Sequence, residues 1–198
     1  CLPCLFFAWF FRIKTLIHEQ NVLPGRANKL LAKFVDQVAL SFAETKKYLN
    51  VNQAKMVVTG NPLRQQLKRV DKTLALSFFG LSKDKFTILV MGGSQASRHI
   101  NTAFITAISL LRDASICQVI HLTGAGDYAA VKQAYKKINI NARVFNFFNS
   151  MEQAYSASDL VISRAGATTI DELVYFGLPA VIIPYPFAYA HPYNNAKV

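Results

Sequence analysis

The sequence predicts an α/β chain built on parallel sheets with helices on both faces, and three observations carry that prediction. Short apolar runs alternate with helix-period segments along most of the 198 residues. Glycine turns stand directly between strand and helix at two places, Gly92-Gly93 and Gly166. Hydrophobic residues make up 52% of the chain, ample for a sizeable core.

Taken in order, residues 1–11 (CLPCLFFAWFF) are strongly apolar but fall short of the roughly 18 residues that a membrane span needs. Arg12 and Lys14 follow on the wrong side for the charged front of a signal peptide. A helix is expected here, either buried or with its apolar face against lipid. Strands are expected at residues 13–17, 36–41 and 55–59, with a helix at 28–34. Asn61-Pro62 marks a joint, so residues 1–60 and 61–198 read as two unequal parts. In the second part, strands are expected at 86–91, 116–122, 143–145, 160–163 and 180–183, and helices at 96–111, 127–137, 151–156 and 168–176. Residues 71–85 read as a linker with a polar lead into the next strand. Such alternation means a parallel sheet covered on both faces, with ligands at the carboxyl ends of its strands. The chain opens at Cys1 and stops at Val198 just after a Tyr/Pro/Asn-rich loop, which predicts a piece of a longer protein.

Twenty-two Lys and Arg against eleven Asp and Glu give a formal charge of +11. That charge is either a solvated surface or an attraction to anionic membrane surfaces and diphosphate substrates. Nucleic acid is disfavoured: the charges are spread as short pairs such as Lys46-Lys47 and Lys136-Lys137, with no stripe and no nucleic-acid motif. Cys1, Cys4 and Cys117 make no metal or disulfide framework, which fits a reducing compartment. No metal is expected, since the four histidines have no paired spacing and no Asp-x-Asp occurs to hold a divalent cation on a diphosphate.

The chemistry concentrates in residues 163–184. A short strand ends at Ser163, Gly166 lets the backbone turn, and Thr168 or Thr169 can cap a helix carrying Glu172. The free N–H groups and positive dipole end of such a helix suit a nucleotide phosphate. Gly177 and Pro179 then stop the helix. Glu172 has two readings: the last member of a capping box with Thr169, or a bidentate acceptor for a ribose diol. Gly92 and Gly93, followed by Ser94, make a second turn of the phosphate type, though neither a dinucleotide fingerprint nor a P-loop. Arg64, just after the joint, is either a surface arginine or a cation for a diphosphate. The polar run His18-Glu19-Gln20-Asn21 at a strand end reads as a functional edge.

The segments HEQNVLPGRANKLLAKF, TGNPLR, GGSQASRHIN and SRAGATTIDELVYFGLPAVIIP, in this order and at these separations, resemble one family over essentially the whole chain. It is the bacterial undecaprenyldiphospho-muramoylpentapeptide β-N-acetylglucosaminyltransferases of peptidoglycan synthesis. The resemblance implies a GT-B fold of two Rossmann-like parallel-sheet domains, both incomplete here: the family's Gly-rich first loop and its closing helices lie outside the sequence. Residues 1–60 would then belong to the acceptor and membrane-side domain, and 61–198 to the domain that binds UDP-N-acetylglucosamine. The implied reaction is a metal-independent, inverting transfer of N-acetylglucosamine to an undecaprenyl-linked muramyl-peptide lipid, with no cofactor, at the cytoplasmic face of the inner membrane.

Carried over by motif, Asn21 and Arg64 would reach the donor, Ser94 its diphosphate, and the backbone of Phe148 the uracil. Ala167, Thr168, Thr169, Ile170, Asp171 and Glu172 would surround the diphosphate and ribose, with Glu172 on the ribose hydroxyls. His18 and Glu19 would face the acceptor, and the catalytic base is unassigned. Pro192 stands where the family has a glutamine for the sugar, and proline offers no side-chain hydrogen bond. The alternatives are a UDP-sugar epimerase of similar architecture, or a fragment that binds UDP-sugar or lipid and turns over nothing.

Overall fold

The computed structural model describes residues 2–92, 97–184 and 195, whose strands form two separate parallel sheets. Two units divide the chain: one gathers Cys1–Leu63, Ala165–Asp171 and Pro184–Val198, the other Arg64–Arg164 and Glu172–Ile183.

In the first unit, helix α1 (Leu2–Phe10) precedes β1 (Leu16–Glu19), α2 (Arg26–Leu31), β2 (Gln37–Leu40) and β3 (Met56–Val58), with short 3-10 turns at Ala43–Tyr48 and Gln53–Lys55. The strands pair in the order β1-β2-β3, all parallel. Ile17, Leu31, Val35, Val38, Leu40 and Met56 form the core, and Leu5 of α1 packs on it. β1 starts three residues later than the apolar run suggests, because Arg12 takes a left-handed φ of 57° where α1 ends. Thr15 then fixes the entry: its N–H and hydroxyl donate to Asp36 Oδ2 at 2.8 and 3.0 Å. Those bonds, first the backbone one, hold the Asp36 carboxyl below its ordinary value.

Phe6, Phe7, Trp9 and Phe10 of α1 are all exposed, since only one edge of this all-round apolar helix meets the core. No described helix is long and apolar enough to cross a membrane.

The second unit runs α3 (Lys72–Phe79), β4 (Phe86–Met91), α4 (Arg98–Ser109), β5 (Cys117–Leu122), α5 (Tyr128–Ile138), β6 (Asn141–Phe145), α6 (Met151–Ala157), β7 (Leu160–Ser163), α7 (Ala167–Phe176) and β8 (Ala180–Ile182). The first turn of α7 counts with the first unit and the helix continues in the second from Glu172. The sheet order is β6-β5-β4-β7-β8, with every pair parallel. From β4 the chain winds outward to β5 and β6, then crosses to the other side of β4 for β7 and β8. The winding therefore reverses between β4 and β7, and in such sheets ligands bind outside the carboxyl ends at that reversal. β4 and β5 are buried almost throughout, as strands covered on both faces must be.

Residues 71–85 are not a linker. Asp71 caps α3 by accepting from the N–H groups of Thr73 and Leu74 at 2.9 and 3.1 Å. Gly80 ends the helix with a left-handed φ of 60°, and Ala75, Leu76 and Phe79 bury one face. The start of α7 also differs from expectation. The Gly166 carbonyl accepts from the Ile170 N–H at 3.0 Å, so the helix begins at Ala167, and Thr168 and Thr169 lie inside it rather than capping it. Gly177 ends it with φ 65°.

Candidate functional site

At the sheet reversal β4 delivers Met91 and the buried Gly92; Gly93 and Ser94 lie outside the described residues. β7 delivers Ser163 and Arg164. The Arg164 guanidinium donates to Ser97 Oγ at 2.7 Å and to the Ile183 carbonyl at 3.3 Å. Ser97 itself caps α4 by accepting from the Ile100 N–H at 3.4 Å. Arg164 thus ties the start of α4 to the end of β8, a role the sequence gives no sign of.

Glu172, on the second turn of α7, is only 7% exposed. Its Oε2 accepts from the Tyr155 hydroxyl at 2.7 Å, and its Oε1 lies 3.8 Å from Arg64 Nη2. The capping-box reading is therefore overturned: Thr169 sits within the helix, and the carboxylate turns away from the helix start toward α6 and Arg64. The structure brings together Arg64 and Glu172, two candidates far apart in sequence. An exposed arginine 3.8 Å from a carboxylate is a loose pair, worth about 0–1 kcal/mol, so Arg64 remains free to meet another anion.

The first turn of α7 leaves N–H groups without intrahelical partners, the usual anion-binding feature of a helix start. Thr168 is exposed, and Thr169 and Ile170 are half-buried. Asn61 donates to Thr168 Oγ1 at 3.2 Å. Asp171 keeps a buried Oδ2 that has no hydrogen-bond partner among the described residues, and burial raises its carboxyl above the ordinary value. Gly166 turns the chain between β7 and α7 without a positive φ. A Cβ there would meet the Thr169 side chain, its Oγ1 at 3.4 Å and its Cβ at 3.9 Å. What the glycine leaves is exposed, open backbone beside the helix start. Gly166→Ala is accordingly expected to change stability by less than about 1 kcal/mol while weakening nucleotide diphosphate binding about tenfold by crowding those N–H groups. Thermal unfolding and calorimetric titration of the variant check both halves.

In the first unit the polar run at the end of β1 folds onto itself. Glu19, 2% exposed, accepts at Oε1 from the N–H and the side-chain amide of Asn21, at 2.9 and 3.3 Å. Its Oε2 accepts from the Gly25 N–H and the Asn28 amide, both at 2.9 Å. Glu19, expected from the resemblance to face the acceptor, is a buried staple for the loop after β1. Asn21 Oδ1 accepts from Asn195 at 3.0 Å, and Asn195 in turn accepts from the Val22 N–H at 2.9 Å. His18 Nε2 lies 3.2 Å from Ser41 Oγ and 3.3 Å from the Gly60 carbonyl.

Phe148 follows β6, its ring against Phe145 and Phe79 at 4.8 and 5.4 Å between centroids. Pro192 lies outside the described residues. Among the described residues no group of three His, Cys, Asp or Glu is placed to hold a metal ion. Sequence reasoning missed Tyr155, Arg164, Asn28 and Asn195. Of these only Tyr155 left a trace, as one of the apolar positions Met151, Ala154 and Tyr155 at helical spacing.

Comparison with known proteins shows the family. Residues 87–198 match the model of the glycosyltransferase family 28 C-terminal domain. A relative from Thermodesulfovibrio yellowstonii, named UDP-N-acetylglucosamine--N-acetylmuramyl-(pentapeptide) pyrophosphoryl-undecaprenol N-acetylglucosamine transferase, is 41% identical over 98% of this chain and 53% of its own length. One of the same name from Halothermothrix orenii is 39% identical over 98% of this chain and 55% of its own. The chain thus spans about half the length of these curated relatives. The crystal structure of Acinetobacter baumannii MurG superposes with a TM-score of 0.76 at 29% identity, over 98% of this chain and 53% of that one. A putative UDP-N-acetylglucosamine 2-epimerase from Listeria monocytogenes reaches 0.65 at 14% identity, over 90% of this chain and 53% of its own, which shows the fold alone. With the parallel sheets, their reversal and the family match over more than half of its length, the chain belongs to glycosyltransferase family 28 and has the GT-B fold.

Proposed function

We propose that this chain carries the donor-binding half of an enzyme that transfers N-acetylglucosamine from UDP-N-acetylglucosamine to the undecaprenyl-diphosphate-linked muramoyl pentapeptide of peptidoglycan synthesis, with inversion. The observation that carries the reading is the sheet reversal between β4 and β7, with the buried Gly92 at the end of β4 and the Glu172 carboxylate beside Arg64 on the helix that follows β7. Relatives 39% and 41% identical over the part they share with this chain bear the name of that transferase. Residues 61–198 take the donor role, and 1–60 the acceptor and membrane side.

As the sugar bond breaks, negative charge develops on the UDP leaving group. Arg64 supplies positive charge for it, and Glu172 anchors the ribose. The exposed aromatic face of α1 and the charge of +11 support a peripheral place on the cytoplasmic leaflet of the inner membrane. The epimerase alternative has only likeness of fold behind it.

Calorimetric titration of the 198-residue chain with UDP-N-acetylglucosamine, UDP-glucose and ADP tests the reading. Saturable binding of UDP-N-acetylglucosamine at least about tenfold tighter than of ADP is expected, a difference of about 1.4 kcal/mol. A folded chain that binds neither, or both alike, counts against it.

A further inference from the structure

We propose that Tyr155 is a positioning residue for the donor: its buried hydroxyl holds one oxygen of Glu172 so that the other is aimed at the ribose hydroxyls. This rests on the reading of Glu172 as the ribose-binding carboxylate. Tyr155 is 1% exposed on α6 and donates to Glu172 Oε2 at 2.7 Å. Its ring is fixed by Phe176, 5.1 Å away between centroids, and its hydroxyl also lies 3.9 Å from the sulfur of Met91, the last residue of β4. The donor is thereby rooted in the sheet end and the acceptor in the following helix. The other carboxylate oxygen, Oε1, has the loosely held Arg64 at 3.8 Å as its charged neighbour.

A carboxylate on a flexible two-methylene arm loses rotamer freedom when it binds a diol. A buried bond to one oxygen removes that freedom before the ligand arrives, which is how supporting hydrogen bonds sharpen a binding group. Burial, and after it the charge of Glu172, raise the phenol's pKa, so the hydroxyl stays protonated and acts as a donor. A tyrosine present only to satisfy a buried carboxylate would stabilise the fold without affecting which ligand binds. The two roles therefore differ in what they do to ribose recognition.

The test is calorimetric titration of the full chain with UDP and with 2′,3′-dideoxy-UDP, in the unsubstituted protein and in Tyr155→Phe. The unsubstituted protein is expected to favour UDP at least about tenfold, the discrimination a hydrogen-bonded hydroxyl pair supplies. Tyr155→Phe is expected to lose about five- to tenfold in UDP affinity while its affinity for the dideoxy nucleotide stays within about twofold. Equal losses for both nucleotides, or no loss for either, overturn the positioning role and leave the donor reading intact. An unsubstituted protein that does not bind UDP, or does not distinguish it from the dideoxy form, overturns both. Should Tyr155→Phe melt below the assay temperature, Phe176→Leu, which loosens the packing that fixes the tyrosine ring and leaves the carboxylate in place, must show the same selective loss.

Discussion

Glu172→Ala is expected to weaken UDP-N-acetylglucosamine binding by at least about 100-fold in calorimetric titration of the full chain, the largest loss from any single substitution in the site. A carboxylate that accepts from two ribose hydroxyls makes two charge-assisted hydrogen bonds, each worth about 1.5–3 kcal/mol. Their sum, about 3 kcal/mol at the least, corresponds to about 100-fold at 1.4 kcal/mol per decade. The variant also leaves the Tyr155 hydroxyl, buried and bonded at 2.7 Å to Glu172, without its strong acceptor. That omission costs about 1–3 kcal/mol of stability. Losing the loose partner of Arg64 adds little, since a pair 3.8 Å apart and half in water contributes under about 1 kcal/mol.

Glu172→Gln separates the two effects. Its amide oxygen can still accept from Tyr155, so unfolding by denaturant is expected within about 1 kcal/mol of the unsubstituted protein. The lost charge still weakens nucleotide binding, by about tenfold or more. Unchanged affinity in both variants would make Glu172 a purely structural carboxylate, and the donor reading of α7 would fall with it.

Much of the fold is legible in the chain because strands buried on both faces must be continuously apolar. β4 and β7 therefore have sharp limits, Phe86–Met91 and Leu160–Ser163, that coincide with the apolar runs. α3 is hidden by its polar face: Lys72, Thr73 and Ser77 make the segment look like a loop. Yet the Asp71 cap and the Gly80 stop were both readable as helix boundaries. β1 is displaced because Arg12 turns left-handed where α1 ends, and a tertiary bond that no local pattern announces, Thr15 to Asp36, then fixes its entry. In the site, Glu172 and Arg64 are visible as motif residues, but their meeting depends on α7 leading back from a strand placed beside β4. Glu19 shows the converse. A run of four polar residues at a strand end reads as an open functional edge, whereas closing the loop at Gly25 turns the carboxylate inward onto backbone and amide donors. Polarity in sequence says that a group needs partners; only the fold decides whether those partners are the chain's own.

Acidification is expected to destabilise the second unit through His121, by about 3 kcal/mol between pH 6.5 and 4. His121 lies on β5 with 0% exposure, its Nδ1 2.8 Å from the Tyr135 hydroxyl and its Nε2 3.0 Å from Asn101 Oδ1. The amide of Asn101 donates to the Thr123 carbonyl at 3.0 Å and to Asp127 Oδ2 at 2.9 Å, so its oxygen must accept from His121. The imidazole is therefore neutral with its proton on Nε2, and Nδ1 accepts from Tyr135. A second proton would face the tyrosine hydroxyl, with the apolar Phe104 ring 6.0 Å from the imidazole between centroids. Burial lowers the pKa to about 4; Asp127 opposes it, but that carboxylate is already paired with Arg98 at 3.1 Å, and burial wins.

In the unfolded chain the same group titrates at its ordinary value of 6.5. As pH falls from 6.5 to 4 the unfolded state takes up a proton that the folded state refuses, so stability falls through that window and levels off below it. At 1.36 kcal/mol per unit, the 2.5-unit difference amounts to about 3 kcal/mol. Denaturant unfolding at pH 7 and pH 4.5, compared between the unsubstituted protein and His121→Gln, isolates this group from the carboxylates that titrate alongside it. The variant is expected to be less stable at pH 7 by about 1–3 kcal/mol, because glutamine cannot serve both Tyr135 and Asn101 as the ring does. Its further loss on acidification is expected to be smaller by most of the 3 kcal/mol. Parallel losses in the two proteins would mean that the ring protonates in the folded state at its ordinary value, and that the buried network does not hold it neutral.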